Sequence, residues 1–262
     1  MSASTPTVVI KYGGHAMDDP ALCAAFATGL SRLAARGLRL VVVHGGGPQI
    51  SALLQRLHIE SRFEQGLRVT DPATMEVVEM VLCGQVNKAV ATLFQQHGVR
   101  AVGISGKDAG LFQARPLRPE LGLVGEVHAV DVGVVRTLLD GGYLPVVAPV
   151  AMGKDGASLN INADTAAGAM AGALHAEYFV LVSDVPGVLD AEKNLLPALT
   201  RADIERLKQE GVIHSGMIPK VGACLNALDA GCRKALILDG RADSSLERYL
   251  LDGAPLGTVV EG

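Results

Sequence analysis

"TVVIKYGGHAMDDPALCAAFATGLSRLAARGLRLVVVHGGG", residues 7–47, sets the fold class of this chain. It begins with an apolar, β-branched run, continues into a segment with helical spacing that Gly37 closes, and ends with a second apolar run. Near-continuous apolar strands joined by a helix are typical of parallel strands that are buried on both faces of a sheet. The stretch predicts an α/β fold, built as a three-layer α/β/α sandwich around a mainly parallel central sheet.

The alternation continues along the chain, with further strands predicted at "RAVGIS", "LPVVAP", "YFVLVSD" and "KALILD" and helices at about residues 49–57 and 71–96. Residues 59–70 and 111–130 have turn residues between short alternating runs, which predicts antiparallel hairpins at the rim of the sheet. The best candidate for a boundary between two lobes follows the helix that ends near Leu174. We therefore expect an N-terminal lobe of residues 1–174 and a C-terminal lobe of residues 175–262, sharing one sheet.

Composition narrows the class of protein. The chain has 262 residues, 49% of them hydrophobic, and a formal net charge of −4 with no block of basic residues. Neither nucleic acid nor a membrane surface is an expected partner. The four cysteines form no CxxC pair, which favours reduced thiols and a cytoplasmic location. No apolar run approaches the ~18 to 20 residues that a membrane span needs.

Two familiar phosphate-binding motifs fail here. "GISGKDAG", residues 103–110, has the Gly-Lys pair of a Walker A loop, but Ala101 stands where that loop needs its first glycine and Asp108 where it needs Ser or Thr. The first βα turn, "KYGGHA", does not match the GxGxxG dinucleotide fingerprint either. The sequence indicates no role for residues 105–110.

Two glycine turns remain, "GGHA" at residues 13–16 and "HGGGPQ" at residues 44–49. They follow two parallel strands and therefore lie at the same edge of the sheet, where ligands usually bind. Consecutive glycines let the backbone approach a ligand, and the amides at a helix start favour an anion. A turn forced by tight packing is the alternative. Lys11 favours the anion site, because an ammonium at the end of a buried strand is costly unless an anion meets it.

Three more residues are candidates for the same edge. Asn162 and Asp164 open the helix of "LNINADTAAGAMAGAL", where Asn162 could equally be only a helix cap. Asp164 could orient ammonium groups if it points toward Lys11. Lys220 lies in the first turns of a helix after Gly216, and a lysine in that setting is by itself more typical of a solvated surface charge.

Taken in order, "IKYGG", "HGGG", "GLRVT", "NINAD", "SDVPGV" and "SGMIPK" resemble the amino acid kinase family, over nearly the whole chain. The resemblance, with "GLRVT" and "NINAD" most specific, implies ATP-dependent phosphorylation of the γ-carboxylate of N-acetyl-L-glutamate in arginine biosynthesis. It implies the amino acid in the N-terminal lobe and ATP in the C-terminal lobe. It also implies Mg²⁺ delivered with ATP and no covalent enzyme intermediate.

The resemblance also implies residue roles. Lys11 and Lys220 would stabilise the transferring phosphoryl group from opposite sides, and Asp164 would hold both ammonium groups. Phosphoryl transfer needs mainly positioning and charge neutralisation, which these residue types supply. The substrate-binding set would be Gly14, Gly46, Gly47, Arg68 and Asn160, with Arg68 and Asn160 on the α-carboxylate. The ATP-binding set would be Asp184, Val185, Pro186, Gly187, Val188, Leu189, Val212, Ile213 and His214.

Two other functions stay open. One is a kinase for a related acylated amino acid, of the aminoadipate type in lysine biosynthesis. The other is a non-catalytic sensor of nucleotide and amino acid on the same fold. Members of the family that arginine inhibits tend to carry an extra N-terminal helix that links dimers into hexamers. Only ten residues precede Lys11 here and they lack an amphipathic period, so the resemblance implies a homodimer that arginine does not inhibit. The apolar helix at residues 77–94 would form the dimer contact, although burial in the monomer explains it equally well.

Overall fold

The computed structural model describes residues 5–13, 17, 19–242 and 244–262. In chain order the strands are β1 Thr7–Tyr12, β2 Arg39–His44, β3 Phe63–Glu64, β4 Leu67–Arg68, β5 Ala101–Ser105, β6 Phe112–Pro116, β7 Gly125–Val130, β8 Leu144–Ala148, β9 Val150–Met152, β10 Ser158–Asn160, β11 Tyr178–Ser183, β12 Ala198–Thr200, β13 Lys234–Asp239 and β14 Thr258–Glu261. The α-helices are α1 Pro20–Ala35, α2 Gly47–Arg56, α3 Pro72–Glu79, α4 Asn87–Gln96, α5 Gly133–Asp140, α6 Ala163–Leu174, α7 Arg201–Gln209, α8 Met217–Asp229 and α9 Ser245–Asp252. A π-helical turn, Met80–Val86, joins α3 to α4.

The central sheet has eight strands in the order β12-β14-β13-β11-β1-β2-β8-β5. All neighbouring strands run parallel except β13 and β14. The predicted mainly parallel sheet is therefore confirmed, with β1 between β2 and β11 near its middle. Both predicted hairpins are antiparallel pairs, β3 with β4 and β6 with β7. Their predicted position at the rim of the central sheet is wrong, because β3-β4 forms a separate two-stranded sheet and β6-β7 joins β9 and β10 in a second sheet.

Side chains alternate between the two faces of the central sheet and build one core on each. In β1, Val9 faces a core that also contains buried residues of α5, α6, α7 and α8. Its neighbours Val8 and Ile10 face a second core, made with α1, α2, α3, α4 and α9. Helices thus cover both faces, and the predicted three-layer sandwich is confirmed. All four cysteines are free, as expected.

The helix from Pro72 to Gln96 corrects one expectation. Its 25 residues are long enough and apolar enough to cross a membrane by length and composition, although no segment was expected to approach that length. Half of its most apolar window is buried inside the protein. Val78, Val81 and Phe94 are almost completely buried in the core beneath α1 and α2. This burial is typical of a core helix.

The carboxyl ends of β1, β2 and β11 lie side by side because these strands are parallel. Lys11 in β1 is in register with Val43 of β2 and Leu181 of β11. Beyond the strands, the Gly45 amide donates a hydrogen bond to the Tyr12 carbonyl oxygen over 2.8 Å. Gly13 and Gly45, the first glycines of the two turns, therefore lie at one edge of the sheet, as predicted.

Candidate active site

Three charged residues from separate elements meet at this edge. Lys11 Nζ lies 3.1 Å from Asp164 Oδ1, and Lys220 Nζ lies 3.3 Å from Asp164 Oδ2. Their side chains are only 12%, 18% and 9% exposed for Lys11, Lys220 and Asp164. Lys220 is therefore no solvated surface charge. Both lysines and the aspartate that the sequence singled out come together here.

The start of α6 places Asp164. Asn162, two residues before Asp164, caps this helix. Its Oδ1 accepts hydrogen bonds from the amides of Asp164 at 2.9 Å and Thr165 at 3.2 Å, which fixes the first turn of the helix. Asn162 therefore caps the helix, which is one of the two roles predicted for it from the sequence. A carboxylate in the first turn of a helix is also favoured by the positive end of the helix dipole.

Close packing of α6 on α8 brings Lys220 to Asp164. Small residues fill α6, and a Cβ atom added at Gly168 would lie 2.9 Å from the Ala223 carbonyl oxygen of α8. Any side chain at position 168 would clash with the backbone of α8, and a backbone carbonyl group cannot rotate out of the way as a flexible side chain can. The small-residue run of α6 thus sets the distance between the two helices that carry Asp164 and Lys220.

The charge of this cluster suits an anion. Burial pushes the pKa of Asp164 upward, but Lys11 and Lys220 outweigh it and hold that pKa below its usual value. The carboxylate is therefore ionised at neutral pH. Two ammonium groups against one carboxylate leave a net positive charge in a poorly hydrated place, where electrostatic attraction for an anion is strong.

The second glycine turn packs tightly and opens α2. Gly46 precedes the helix, and a Cβ atom there would lie 2.6 Å from Leu82 Cδ2 in the π-helical turn. This turn therefore packs closely against the π-helical turn, and the packing coexists with helix amides that can face an anion. In the first turn, a Cβ atom on Gly13 would lie 3.2 Å from Lys11 Nζ. Gly14, the remaining predicted substrate residue, lies outside the described residues.

A cavity of about 200 Å³ adjoins this turn. Four of the predicted substrate residues line it together: Gly46, Gly47, Arg68 and Asn160. The remaining wall includes the apolar side chains of Ile50, Phe63, Leu82 and Val124. The cavity thus combines one cation and the side chains of Asn160 and Asn162 with an apolar surface, a combination that suits a small acid carrying an apolar group.

Arg68 is fixed before any ligand binds. The residue is 7% exposed, and its Nη2 donates hydrogen bonds to the Gly47 carbonyl oxygen at 3.0 Å and to Ser51 Oγ at 2.9 Å. Its Nη1 donates to Ser61 Oγ, and the guanidinium lies 4.6 Å from the centre of the Phe63 ring. Burial lowers the pKa of Arg68 from its ordinary value. An arginine held this firmly loses little entropy on binding a carboxylate.

Asn160 is linked to Arg68 through Thr70. The Asn160 side-chain amide donates to Thr70 Oγ1 over 3.1 Å, and that hydroxyl donates to the Arg68 carbonyl oxygen over 2.7 Å. Thr70 is completely buried. The two predicted carboxylate-binding residues therefore share one hydrogen-bonded support.

The predicted nucleotide segments follow β11 and α7. Asp184 is exposed at the end of β11, whereas Val188 and Ile213 are each 2% exposed and belong to the core. Gly187 has a φ of +150°, and a Cβ atom there would lie 2.5 Å from Thr258 Oγ1. Because the side chains of Val188 and Ile213 point into the core, only their main-chain groups could contact a nucleotide.

Sequence reasoning missed His44 and Asn87. His44 is completely buried, its Nδ1 lies 2.7 Å from the Gly45 carbonyl oxygen, and its Nε2 lies 3.2 Å from Asn87 Nδ2. Burial lowers the pKa of His44 to about 4, so the neutral ring can donate from Nδ1 to Gly45. The residue thereby holds the first glycine of the turn. The sequence does place His44 between a buried strand and three glycines, and that position could have indicated a histidine that supports the glycine turn.

Comparison with known proteins adds independent findings. The family model described as the amino acid kinase family matches residues 6–239. An acetylglutamate kinase of Granulibacter bethesdensis is 49% identical over 269 residues, which cover 98% of this chain and 90% of that protein. An acetylglutamate kinase of Gluconacetobacter diazotrophicus is 50% identical over 268 residues, covering 98% of this chain and 86% of that protein.

Solved structures share the fold. A protein from Streptococcus mutans superposes with a TM-score of 0.83 at 29% identity, over 97% of this chain and 98% of its own. N-acetylglutamate synthase from Neisseria gonorrhoeae, complexed with coenzyme A and N-acetyl-glutamate, gives 0.84 at 23% identity, and this chain covers 59% of it. Carbamate kinase from Giardia lamblia bound to AMP-PNP gives 0.73 at 18% identity, over 98% of this chain and 99% of its own. The last two likenesses concern the fold alone.

Proposed function

The chain belongs to the amino acid kinase family, and we propose that it phosphorylates the γ-carboxylate of N-acetyl-L-glutamate with ATP. The activity is that of an acetylglutamate kinase, the activity for which its curated relatives are named. The product is an acyl phosphate, and the reaction belongs to arginine biosynthesis. One observation carries the chemistry: two ammonium groups from different elements converge on one buried carboxylate.

The reaction needs charge neutralisation more than proton transfer. A γ-carboxylate oxygen attacks the γ-phosphorus of ATP, the bond between that phosphorus and the β-phosphate oxygen breaks, and ADP leaves. The nucleophile is already ionised at neutral pH, so a general base adds little. Negative charge spreads over the transferring oxygens in the transition state. Lys11 and Lys220 stabilise that charge, and Asp164 keeps both lysines in place before the substrates arrive.

The cavity beside the glycine turn is the site we assign to the amino acid. Arg68 and Asn160 hold the α-carboxylate, and the apolar wall accepts the acetyl group. The amides of Gly46 and Gly47 then face the γ-carboxylate and the moving phosphoryl group. The support for this assignment is that these four residues line one small cavity at the edge that carries Lys11.

ATP binds to the C-terminal lobe, residues 175–262, through the segments from Asp184 to Leu189 and from Val212 to His214. Among the described residues, no cluster of three or more His, Cys, Asp or Glu side chains could hold a metal ion. Mg²⁺ would enter with ATP, because phosphate oxygens are ligands that it prefers, and it would supply neutralisation of the phosphate charge.

A coupled assay of ADP release tests the function. Purified protein is given Mg²⁺–ATP with N-acetyl-L-glutamate, glutamate, aspartate, carbamate or an N-acylated aminoadipate, and hydroxylamine traps any acyl phosphate. Turnover with N-acetyl-L-glutamate and a trapped hydroxamate are expected. Faster turnover with the N-acylated aminoadipate would show that this compound, and not N-acetyl-L-glutamate, is the substrate. Binding of ATP and N-acetyl-L-glutamate without ADP release would favour a sensor.

A further inference from the structure

The loop "SGKDAG", residues 105–110, has no part in the reaction as derived above. Among the partners described for its lysine, neither Asp164 nor the glycines at 45–47 appear. Lys107 Nζ instead lies 2.8 Å from Glu79 Oε1 and donates a hydrogen bond to Ser158 Oγ over 2.8 Å. The Ser158 hydroxyl donates in turn to Glu79 Oε2 over 2.5 Å. We call these three residues, Lys107, Glu79 and Ser158, the Lys107 clamp.

The loop that carries Lys107 is rigid. Asp108 Oδ2 accepts hydrogen bonds from the Ser105 amide at 2.6 Å and from Ser105 Oγ at 2.8 Å. A Cβ atom added at Gly106 would lie 2.6 Å from the Val150 carbonyl oxygen. Ala109 adopts the left-handed region with a φ of +53°, which costs free energy and persists only where the surroundings impose it. The loop therefore fixes the backbone from which Lys107 extends.

The clamp joins two walls of the amino acid cavity. Ser158 begins strand β10, and Asn160, which lines the cavity, ends it two residues later on the same face. Glu79 ends α3 immediately before the π-helical turn, whose Leu82 lines the cavity and packs against Gly46. Strand β10 pairs with β9, and Asn160 also donates hydrogen bonds to the Leu123 carbonyl oxygen and to Thr70 Oγ1. None of these bonds reaches α3 or the π-helical turn, so the link from Ser158 to Glu79 is what ties this strand to the wall that carries Leu82.

Electrostatics favour a persistent clamp. Burial pushes the pKa of Glu79 upward, but hydrogen bonds from Lys107 and Ser158 outweigh it and hold that pKa below its usual value. Glu79 is thus ionised at neutral pH and remains paired with the lysine. The side chains are 32% exposed for Lys107 and 36% for Glu79, so the pair contributes modestly to stability. Its effect is one of position.

We propose that the Lys107 clamp is a positioning device for the amino acid site, which sets Asn160 against the opposite wall of the cavity. This inference rests on the proposed function, because it takes Asn160 as a ligand of N-acetyl-L-glutamate. Lys107, Glu79 and Ser158 are positioning residues and touch neither substrate. The Gly-Lys pair that imitates a phosphate loop in the sequence serves the acceptor and not the nucleotide.

Steady-state kinetics of Lys107→Gln and Ser158→Ala test the clamp. An exposed ion pair is worth up to about 1 kcal/mol, so loss of the clamp should raise KM for N-acetyl-L-glutamate by up to about fivefold. KM for ATP and kcat should stay within about twofold, because the lysine–aspartate cluster is untouched. Calorimetric titration of N-acetyl-L-glutamate should show the same weakening without turnover. The charge-exchanged double variant, Glu79→Lys with Lys107→Glu, should recover much of the affinity.

Arg115→Gln is the matched control, since it breaks an exposed pair with Glu126 in the same small sheet, away from the cavity lining. It should leave both KM values unchanged. Unchanged KM for N-acetyl-L-glutamate in both clamp variants would overturn the inference. So would equal rises in both KM values, or a fall in kcat that follows a lowered thermal midpoint, since these indicate general destabilisation. If the wild-type protein neither turned over nor bound N-acetyl-L-glutamate, the proposed function would be overturned, and the role of the Lys107 clamp with it.

Discussion

At the scale of single residues, Asp164 has two ammonium partners on different elements, and each lysine depends on it for its place. Replacing Lys11 or Lys220 by Ala should lower kcat by about 10²-fold or more, the size of effect seen when one charge-stabilising donor is lost. Rapid-quench or steady-state kinetics measure this. Lys234→Ala, an exposed lysine at the opposite edge of the sheet, is the control and should keep normal turnover. Near-normal kcat in Lys11→Ala would refute the assigned role.

Arg68 makes a second prediction at this scale. Lysine cannot reproduce the planar fork that binds a carboxylate in two places, so Arg68→Lys should raise KM for N-acetyl-L-glutamate by roughly tenfold and leave KM for ATP nearly unchanged. The variant also loses hydrogen bonds to Gly47 and Ser51, and its thermal midpoint should fall. Equal weakening of both substrates would contradict the assignment of Arg68 to the amino acid site.

His44 makes stability depend on pH. Its pKa is about 4 when folded and 6.5 when unfolded, so the unfolded chain takes up a proton first as pH falls. The stabilising contribution is complete above pH 6.5 and is lost as pH falls toward 4. Between pH 7.5 and 5, the wild type should lose roughly 2 kcal/mol more unfolding free energy than His44→Gln.

Urea unfolding at several pH values measures that difference. His128→Gln is the control, because this histidine is exposed, and it should follow the wild-type curve. Parallel curves for the wild type and His44→Gln would show that His44 is protonated equally in both states.

At the scale of helices and strands, the packing of α6 on α8 sets the active-site geometry. Gly168→Ala puts a Cβ atom 2.9 Å from the Ala223 carbonyl oxygen, so the helices must separate. We expect a loss of about 1 to 3 kcal/mol in unfolding free energy and a lower kcat, because Lys220 moves away from Asp164. Chemical denaturation and kinetics on the same preparation measure both effects.

Gly222→Ala provides the matched control. This glycine lies inside α8, and a Cβ atom there would have no neighbour within 4 Å. Alanine should stabilise the helix by about 0.5 to 1 kcal/mol and leave kcat unchanged. If both glycine variants behaved alike, close approach of the helices would not explain the small-residue composition of α6.

Sequence reasoning succeeded where local pattern and structure agree. The strands of "TVVIKY" and "KALILD" were predicted at their observed bounds, because a buried parallel strand is a continuous apolar run. The convergence of Lys11 with Lys220 was reached only through family resemblance. A lysine on a helix gives no signal of a partner on another helix, since that pairing depends on how α6 packs against α8.

Two features left no readable pattern. The π-helical turn at Met80–Val86 has the same apolar spacing as the α-helices around it, so residues 71–96 were predicted as one uniform helix. The role of Lys107 was missed for a different reason. Its partners, Glu79 and Ser158, lie far away in the sequence on both sides, and only the folded chain brings them together.

At the scale of the whole molecule, we predict a homodimer. Met80 is 56% exposed on the helix proposed for the dimer contact, so a second copy of the chain could cover it there. Light scattering should give twice the chain mass of 27.2 kDa. Met80→Arg should shift the equilibrium toward monomer, whereas Leu251→Arg, at an exposed position on α9, should not. A hexamer would refute the prediction.

The two neighbours of β1 enter the fold at very different times during synthesis. Val8 pairs with Leu40 of β2, which leaves the ribosome soon afterwards, and with Tyr178 of β11, which follows much later. The central strand therefore keeps one edge unpaired while most of the polypeptide is translated, and an unpaired strand edge invites association with other chains. Lys11 sits on that strand and Lys220 follows later still in α8, so the cluster of Lys11, Asp164 and Lys220 can form only near the end of cotranslational folding.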